Sequence, residues 1–329
     1  MEKTRIGEEV SGEVSYVEKI EIHHLNHDLE KDNVFALKTF EQRLVPGMSE
    51  DRFRHEVDAN LDAPKHERIV RLLTAFSYRE KFYLVFPLAT EGSLEKLWKS
   101  YIPEGIDQPE QPAPARVAHW YSDEWLIGEC LGIAEALLAT HTLPGDHPEG
   151  TSGLLHADLK PENILCFPKS EPGKPSIVLK LADFGEAKRV KPNVDLKAGK
   201  VAHVKTYRPP EHSTGNIITL KYDVWCLGCL FLDFVTWAIL GQDGIDSFND
   251  RREGEEDEVA VTENPRQVIE DTFFKRTKQE SVPFILKRLD DQLKRVVSFI
   301  GEKMLIVDPE RRADSLEVRN FLKMVVDGM

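Results

Sequence analysis

Within eight residues, His156-Ala157-Asp158-Leu159-Lys160-Pro161-Glu162-Asn163, the chain sets a carboxylate, an ammonium and an amide oxygen close together, and 20 residues after Asn163 comes Asp183-Phe184-Gly185. Taken singly, His156, Asp158, Asn163 and Asp183 each read as a solvated or helix-capping polar residue. Their joint occurrence at this spacing is what a shared chemical site requires, and the rest of the chain is organised around it.

Phosphoryl transfer from a nucleotide needs a carboxylate to orient an attacking hydroxyl, a cation near the moving phosphate, and oxygen ligands for magnesium. Asp158 suits the first task, Lys160 the second, and Asn163 with Asp183 the third. The pattern closely resembles the H-R-D-L-x-x-x-N and D-F-G motifs of eukaryotic-type protein kinases, with Ala157 standing where the arginine would be. The resemblance implies an α+β, two-lobed protein kinase-like fold: a small antiparallel β-sheet lobe with one main helix, and a larger α-rich lobe. It implies a single protein kinase domain over residues 1–329, with the small lobe at 1–86, a hinge at 87–90 and the large lobe at 91–329. It further implies ATP and Mg2+ as cofactors, a protein or peptide as substrate, and transfer of the γ-phosphate to serine or threonine, since Lys160 is the residue type found in kinases of that specificity. The alternative reading is a pseudokinase, a binding or scaffolding module with little catalysis. Glu9, Ala157 and Asn60 favour it, while Lys38, Glu56, Asp158, Asn163 and Asp183 oppose it.

Ile6-Gly7-Glu8-Glu9-Val10-Ser11-Gly12-Glu13-Val14 resembles the kinase glycine-rich loop, with Gly7 and Gly12 at the first and third glycine positions and Glu9 at the second. Glycines there let backbone N–H groups approach phosphates. Val34-Phe35-Ala36-Leu37-Lys38 alternates as a strand does, and by resemblance Lys38 reaches the α- and β-phosphates. Its expected carboxylate partner is Glu56, with Glu50 a lesser alternative. Asn60 falls where kinases place an apolar residue near the D-F-G phenylalanine, so either Leu61 packs there instead or that contact is weakened. Residues 66–73 and 82–86 read as two strands joined by a turn near 79–81. After them the resemblance places adenine contacts at the carbonyl of Pro87 and the N–H of Ala89. Phe86 then closes the back of the pocket, and Val14, Ala36 and Leu165 form its apolar walls.

Composition narrows the classes of partner. The net charge of −14, from 43 Lys+Arg against 57 Asp+Glu, disfavours sequence-independent nucleic-acid binding. Four cysteines are too few for a disulfide scaffold, and no N-terminal apolar stretch reads as a signal peptide, so a cytoplasmic or nuclear setting is expected. The longest apolar run, Leu227 to Leu240, is interrupted by Asp233 and reads as a buried helix rather than a membrane span. Cys226 and Cys229 lie in that run and read as core. A helix is expected from about Trp120 to His141, with Trp125, Leu126, Ile133, Leu137 and Leu138 inward. The connection 142–153 is longer than a kinase normally needs, and surface insertions are expected at 103–115 and 168–175. The last of these would interrupt a hairpin. Pro209-Pro210-Glu211 resembles the end of an activation segment, whose glutamate needs a cation, and Arg311 is the expected partner. Asp223 corresponds to the buried aspartate that supports the catalytic-loop backbone. The acidic run within 241–263 reads as a solvated insertion, and helices over 282–299 and 315–326 complete the large lobe.

In many kinases the arginine that Ala157 replaces pairs with a phosphate on the activation segment. Between Glu186 and Arg208 the only hydroxyl side chains are Thr206 and Tyr207, at the far end of the segment. Activity is therefore expected to be independent of activation-segment phosphorylation. Phosphatase-treated protein should phosphorylate a peptide at the untreated rate; loss of activity together with a phosphate mapped between Glu186 and Arg208 would overturn this.

Overall fold

The computed structural model describes residues 3–6, 15–29, 33–41, 48–103, 116–143, 152–171, 174–190, 196–197, 207–214, 217–259 and 291–329. Gly7, Glu9, Gly12 and Val14 of the glycine-rich stretch lie outside them, as do Thr206, residues 282–290, and most of the insertion expected at 103–115 and of the long connection at 142–153.

The first lobe is a five-stranded antiparallel sheet in the order β1-β2-β3-β5-β4, built from β1 (Lys3–Ile6), β2 (Ser15–Glu21), β3 (Val34–Phe40), β4 (Thr74–Tyr78) and β5 (Lys81–Pro87). Alternation along β3 sends Phe35 and Leu37 into a small apolar cluster with Ile20 and Val85, so Ala36 and Lys38 share the opposite face. Register places Ala36 opposite Phe86 and Lys38 opposite Leu84. β4 and β5 are joined by Arg79 and Glu80, both with positive φ (48° and 60°), as a two-residue hairpin turn demands.

The turn falls where the sequence places it, but the strand before it does not. Residues 66–73 are not a strand of this sheet, which takes up Thr74–Tyr78 instead. Ile69 and Val70 are buried elsewhere: Val70 N–H donates to the Leu181 carbonyl and Leu181 N–H to the Arg68 carbonyl, both at 2.8 Å. An apolar run satisfies either environment, and backbone partners decide between them.

α1 (Met48–Asp62) is the main helix of this lobe and packs on β5 and β3. Phe53 stacks on Phe82 at 5.0 Å and meets Phe40 edge-on. Leu61 is 75% exposed, which excludes a register in which it packs inward. Asn60, half-buried, donates from Nδ2 to the Glu56 carbonyl at 2.8 Å, so the inward position is polar and is satisfied by the helix itself.

The second lobe begins with α2 (Leu94–Ser100), capped by Ser93, and the short parallel pair β6 (Tyr101–Ile102) and β7 (Arg116–Val117). α3 (Asp123–His141) starts where Ser122 Oγ accepts from the Trp125 N–H at 3.1 Å. Leu126, Ile133 and Leu137 are buried as expected, while Trp125 and Leu138 are half-buried. β8 (Gly153–Leu155) leads to the central loop, followed by β9 (Ile164–Glu171) and β10 (Lys174–Leu181). These two form one long hairpin in which Pro168 opposes Ile177 and Ser170 opposes Pro175. The expected insertion at 168–175 thus extends the hairpin and does not break it, because Phe167 and Ile177 keep the alternation going on both sides.

β11 (Lys188–Val190) pairs with β8, and β12 (Leu196–Lys197) with β13 (Ile217–Ile218), on either side of α4 (Pro210–Thr214). α5 (Lys221–Val259) runs through the centre of the lobe, with Val224, Trp225, Leu227, Val235 and Trp237 fully buried. Its first 27 residues are long and apolar enough to cross a membrane, but 83% of the apolar window is buried within the protein. Gly241, at φ 67° and ψ −165°, kinks α5. The acidic run read as an insertion is helical in backbone up to Val259, consistent with its richness in helix-forming Glu and Arg. α6 (Asp291–Phe299) passes into a π-helical turn over Ile300–Met304, and α7 (Ser315–Asp327) opens with a capping box between Asp314 and Glu317. All four cysteines are free and buried.

Glu211 finds its cation one residue later than expected. Arg312, not Arg311, forms a bidentate pair with it at 2.7 and 2.8 Å. Arg311 is exposed, whereas Arg312 is 1% exposed and stacks over Trp225. Removing one member of so buried a pair strands the other charge, which costs about 3–5 kcal/mol. Arg312→Ala is therefore expected to lower the thermal midpoint by roughly 5–15 °C, and Arg311→Ala to leave it nearly unchanged; differential scanning fluorimetry of both variants checks this.

Candidate active site

The central loop is held from below. Asp223, in the first turn of α5 and 0% exposed, accepts from His156 N–H at 2.7 Å and Ala157 N–H at 3.0 Å, and contacts His141 Nε2 at 3.0 Å. Ala157 takes φ 67°, a left-handed conformation unfavourable for alanine, and its hydrogen bond to Asp223 fixes it there. The reversal turns the next residue, Asp158, out of the core: its side chain is partly exposed while Ala157 and Leu159 are buried. His156 is fully buried. Its Nδ1 accepts from the Asp158 N–H at 3.3 Å, and its Nε2 lies 3.0 Å from the Ala182 carbonyl.

Asp158 sits between two positive or donor groups. Lys160 Nζ lies 2.9 Å from Oδ2, and Asn163 Nδ2 donates to the same oxygen and to the Asp158 carbonyl, both at 2.8 Å. Burial works against the Lys160 ammonium, yet the Asp158 charge beside it raises its pKa above the ordinary lysine value. With both N–H bonds of Asn163 turned to Asp158, its amide oxygen is the group left to face a cation.

Asp183 also takes a left-handed conformation, with φ 61°. Its carboxylate accepts from Lys38 at 3.1 and 3.2 Å and from the Gly185 N–H at 3.0 Å. Lys38 reaches Glu56 on its other side, at 2.8 and 2.9 Å. Gly185 is tightly fitted: a Cβ there would lie 3.0 Å from both the Asp183 and Glu56 carboxylates. Loss of water acts on all three charges, although the Asp183 side chain stays 41% exposed while Lys38 and Glu56 are nearly closed off. It favours neutral Lys38, but the Asp183 and Glu56 carboxylates outweigh it and raise the ammonium pKa. It would raise Asp183, but Lys38 and the Gly185 N–H hold that carboxyl below its usual range. For Glu56 burial prevails over the lowering by Lys38 and pushes the pKa up to about 7.

The structure thus brings Lys38, Glu56, Asp158, Lys160, Asn163 and Asp183 together, and Glu50 is excluded as the partner of Lys38 because it pairs with Arg54 on the exposed side of α1. Ala36 shares the Lys38 face of β3, and Leu165, half-buried on β9, bridges to Ser93. Pro87 ends β5. The Ala89 carbonyl accepts from Gly92 N–H at 3.1 Å, and its own N–H donates to no described residue. A carboxylate oxygen at Asp183 and an amide oxygen at Asn163 are hard ligands of the type magnesium takes. Among the described residues no group of three or more His, Cys, Asp or Glu side chains could hold a metal.

Several contacts were not legible beforehand. Arg189 pairs with Asp62 at 2.6 and 3.0 Å and Lys188 lies 3.3 Å from His55, so β11 is fastened to α1 on its exposed side. Arg68 pairs with Glu129 of α3. Tyr207 is buried and donates to Asp233. These pairs are 26 to 133 residues apart in sequence, and no short motif encodes them.

The chain matches the family model of the protein kinase domain over residues 6–322, and it belongs to that family. Members generally use ATP and magnesium. Among curated relatives it is 30% identical to an Aurora kinase B of Drosophila melanogaster over 60% of this chain and 49% of that protein. It is 27% identical to a cyclin-dependent kinase-like 2 of Oryctolagus cuniculus over 80% of this chain and 41% of that protein. It is 36% identical to the serine/threonine-protein kinase chk-2 of Caenorhabditis elegans over 33% of this chain and 21% of that protein. The chain spans about half the length, or less, of these curated relatives.

The raised pKa of Glu56 predicts a pH dependence. Above about pH 7 the carboxylate is charged and orients Lys38; below it a proton neutralises Glu56 and the lysine loses that partner. ATP affinity measured by calorimetry is expected to fall as the pH is lowered through this value, and Glu56→Gln to remove the inflection while binding weakly throughout.

Proposed function

We propose that this chain is a serine/threonine protein kinase that transfers the γ-phosphate of magnesium-bound ATP to a protein hydroxyl. The observation that carries the reading is the position of Lys38 between Glu56 and Asp183, with Asp158 held by Lys160 and Asn163 nearby. In this proposal residues 1–329 act as one kinase domain, with the nucleotide lying between the small lobe (1–86) and the large lobe (91–329) and the adenine against 87–90.

In the proposed roles, Lys38 presents its ammonium to the α- and β-phosphates, oriented by Glu56. Asp183 and Asn163 offer oxygens to magnesium, which when bound neutralises charge on the phosphate oxygens. Asp158 accepts a hydrogen bond from the substrate hydroxyl and takes its proton as the new P–O bond forms. Lys160, 2.9 Å from Asp158, is placed to offset negative charge on the phosphate being transferred. Serine and threonine are favoured as acceptors by Lys160, and the relative chk-2 of Caenorhabditis elegans is a serine/threonine-protein kinase. Ala36 and Leu165 supply apolar walls for the adenine, with Pro87 and Ala89 as its backbone contacts and Gly7, Gly12 and Val14 covering the nucleotide.

The reading as a non-catalytic module draws on Ala157, yet the backbone of Ala157 is still held by Asp223 and the loop keeps its shape. Asp158→Asn separates the two readings. With magnesium, labelled ATP and a mixed peptide library, it is expected to reduce turnover by about 10²–10⁴-fold while ATP affinity stays near that of the unaltered chain. Equal, background incorporation by both proteins would refute the enzyme reading.

A further inference from the structure

Asp183 holds a left-handed backbone conformation that is unfavourable for a side-chain-bearing residue and persists only where its surroundings impose it. The residue before it, Ala182, is fixed by its N–H to the Asn163 carbonyl at 2.9 Å and by its carbonyl to His156. The residue before that, Leu181, is fixed from the other side of the strand by the segment that leaves α1. Leu181 N–H donates to the Arg68 carbonyl and its carbonyl accepts from Val70 N–H, both at 2.8 Å.

The Arg68 side chain continues this contact inward. Its guanidinium pairs with Glu129 of α3 and donates to the Leu179 carbonyl at 3.3 Å, while the Leu179 N–H donates to Glu129 at 2.7 Å. Arginine and glutamate side chains are 18% and 8% exposed, so the pair is largely desolvated. Space for it is provided by Gly132: a Cβ there would lie 2.7 Å from the guanidinium carbon. Arg68 follows the last residue of α1 by six positions, and Glu56 lies about 1.7 turns before that end. One side chain therefore joins three elements: the exit of α1, the middle of α3, and β10 just before Asp183.

We infer that Arg68 is a positioning residue: through Glu129 and β10 it fixes the distance between Glu56 and Asp183, the two carboxylates that Lys38 bridges. This rests on the kinase reading above. It also accounts for how α1 is held in place without an arginine at Ala157, because the anchor lies at the rear of the helix and needs no phosphate.

Two kinds of variant separate positioning from mere stability. Replacing a buried ion pair by apolar side chains of similar size is often neutral for stability, so Arg68→Met/Glu129→Met is expected to melt close to the unaltered chain. Gly132→Ala keeps both charges and displaces the guanidinium. Both are expected to lower kcat by about tenfold or more with the KM for peptide unchanged, and to weaken magnesium-dependent binding of ATP. Hydrogen exchange at the amides of Leu181 and Gly185 should quicken in both, and Arg68→Lys should restore part of the protection. Unchanged kcat, ATP affinity and exchange in a double variant of normal melting temperature would overturn the inference. If the unaltered chain transfers no phosphate, the kinase reading fails by itself, and the exchange and ATP-binding measurements still decide the role of Arg68.

Discussion

The carboxylate of Asp223 is the contact on which the site depends. A buried carboxylate without donors is unfavourable; here two successive backbone N–H groups and a histidine surround it, and the same bonds hold Ala157 in a conformation that it would not adopt alone. Asp223 lies in the part of α5, Tyr222 to Trp237, that is buried throughout. The loop is fastened to that stretch, and Asp158 leaves the loop at a fixed place beside Lys160 and Asn163. Burial of the central helix is thereby converted into the position of a single, partly exposed carboxylate.

A second set of constraints joins the lobes. Lys38 is carried by the small sheet, Glu56 by α1 and Asp183 by the end of β10, and their mutual distances of 2.8–3.2 Å hold only when all three elements are in register. Behind them Arg68 and Glu129 tie the exit of α1 to β10, and on the exposed side Arg189 pairs with Asp62. The exposed pair is screened by water and contributes little by itself. The buried pair is held by several hydrogen bonds at once. In a chain whose loop carries alanine at position 157, α1 is positioned by contacts present in the unmodified protein.

The motif residues were legible because their chemistry requires fixed short spacings: His156 to Asn163, and Asp183 after them, cannot drift without losing the site. Lys38 and Glu56 were legible only through the kinase resemblance, since a lysine ending a strand reads by itself as a solvated charge and α1 carries several carboxylates. The failures are equally physical. Arg311 and Arg312 are adjacent and chemically identical, and only the direction of each side chain at the end of the chain decides that Arg312 enters the core. The apolar run at 66–73 has the composition of a strand, but Arg68 and Val70 bond to Leu181 across the lobe boundary, and only Leu73, at its end, bonds to β5. The prolines at 168 and 175 suggested an interruption, yet the antiparallel register carries both within one hairpin.

By itself, then, the sequence determined the chemistry of this protein: which carboxylates, amide and lysines are available, and that alanine replaces the arginine of the loop. Those facts are local, and side-chain identity and spacing are enough to state them. The tertiary structure alone decided which charges meet across 61 to 145 residues of chain, as with Arg68 and Glu129 or Lys38 and Asp183. Such pairings are chosen by the packing of whole elements, which brings a few charges within reach of one another and shuts out the rest, and no local pattern records that choice.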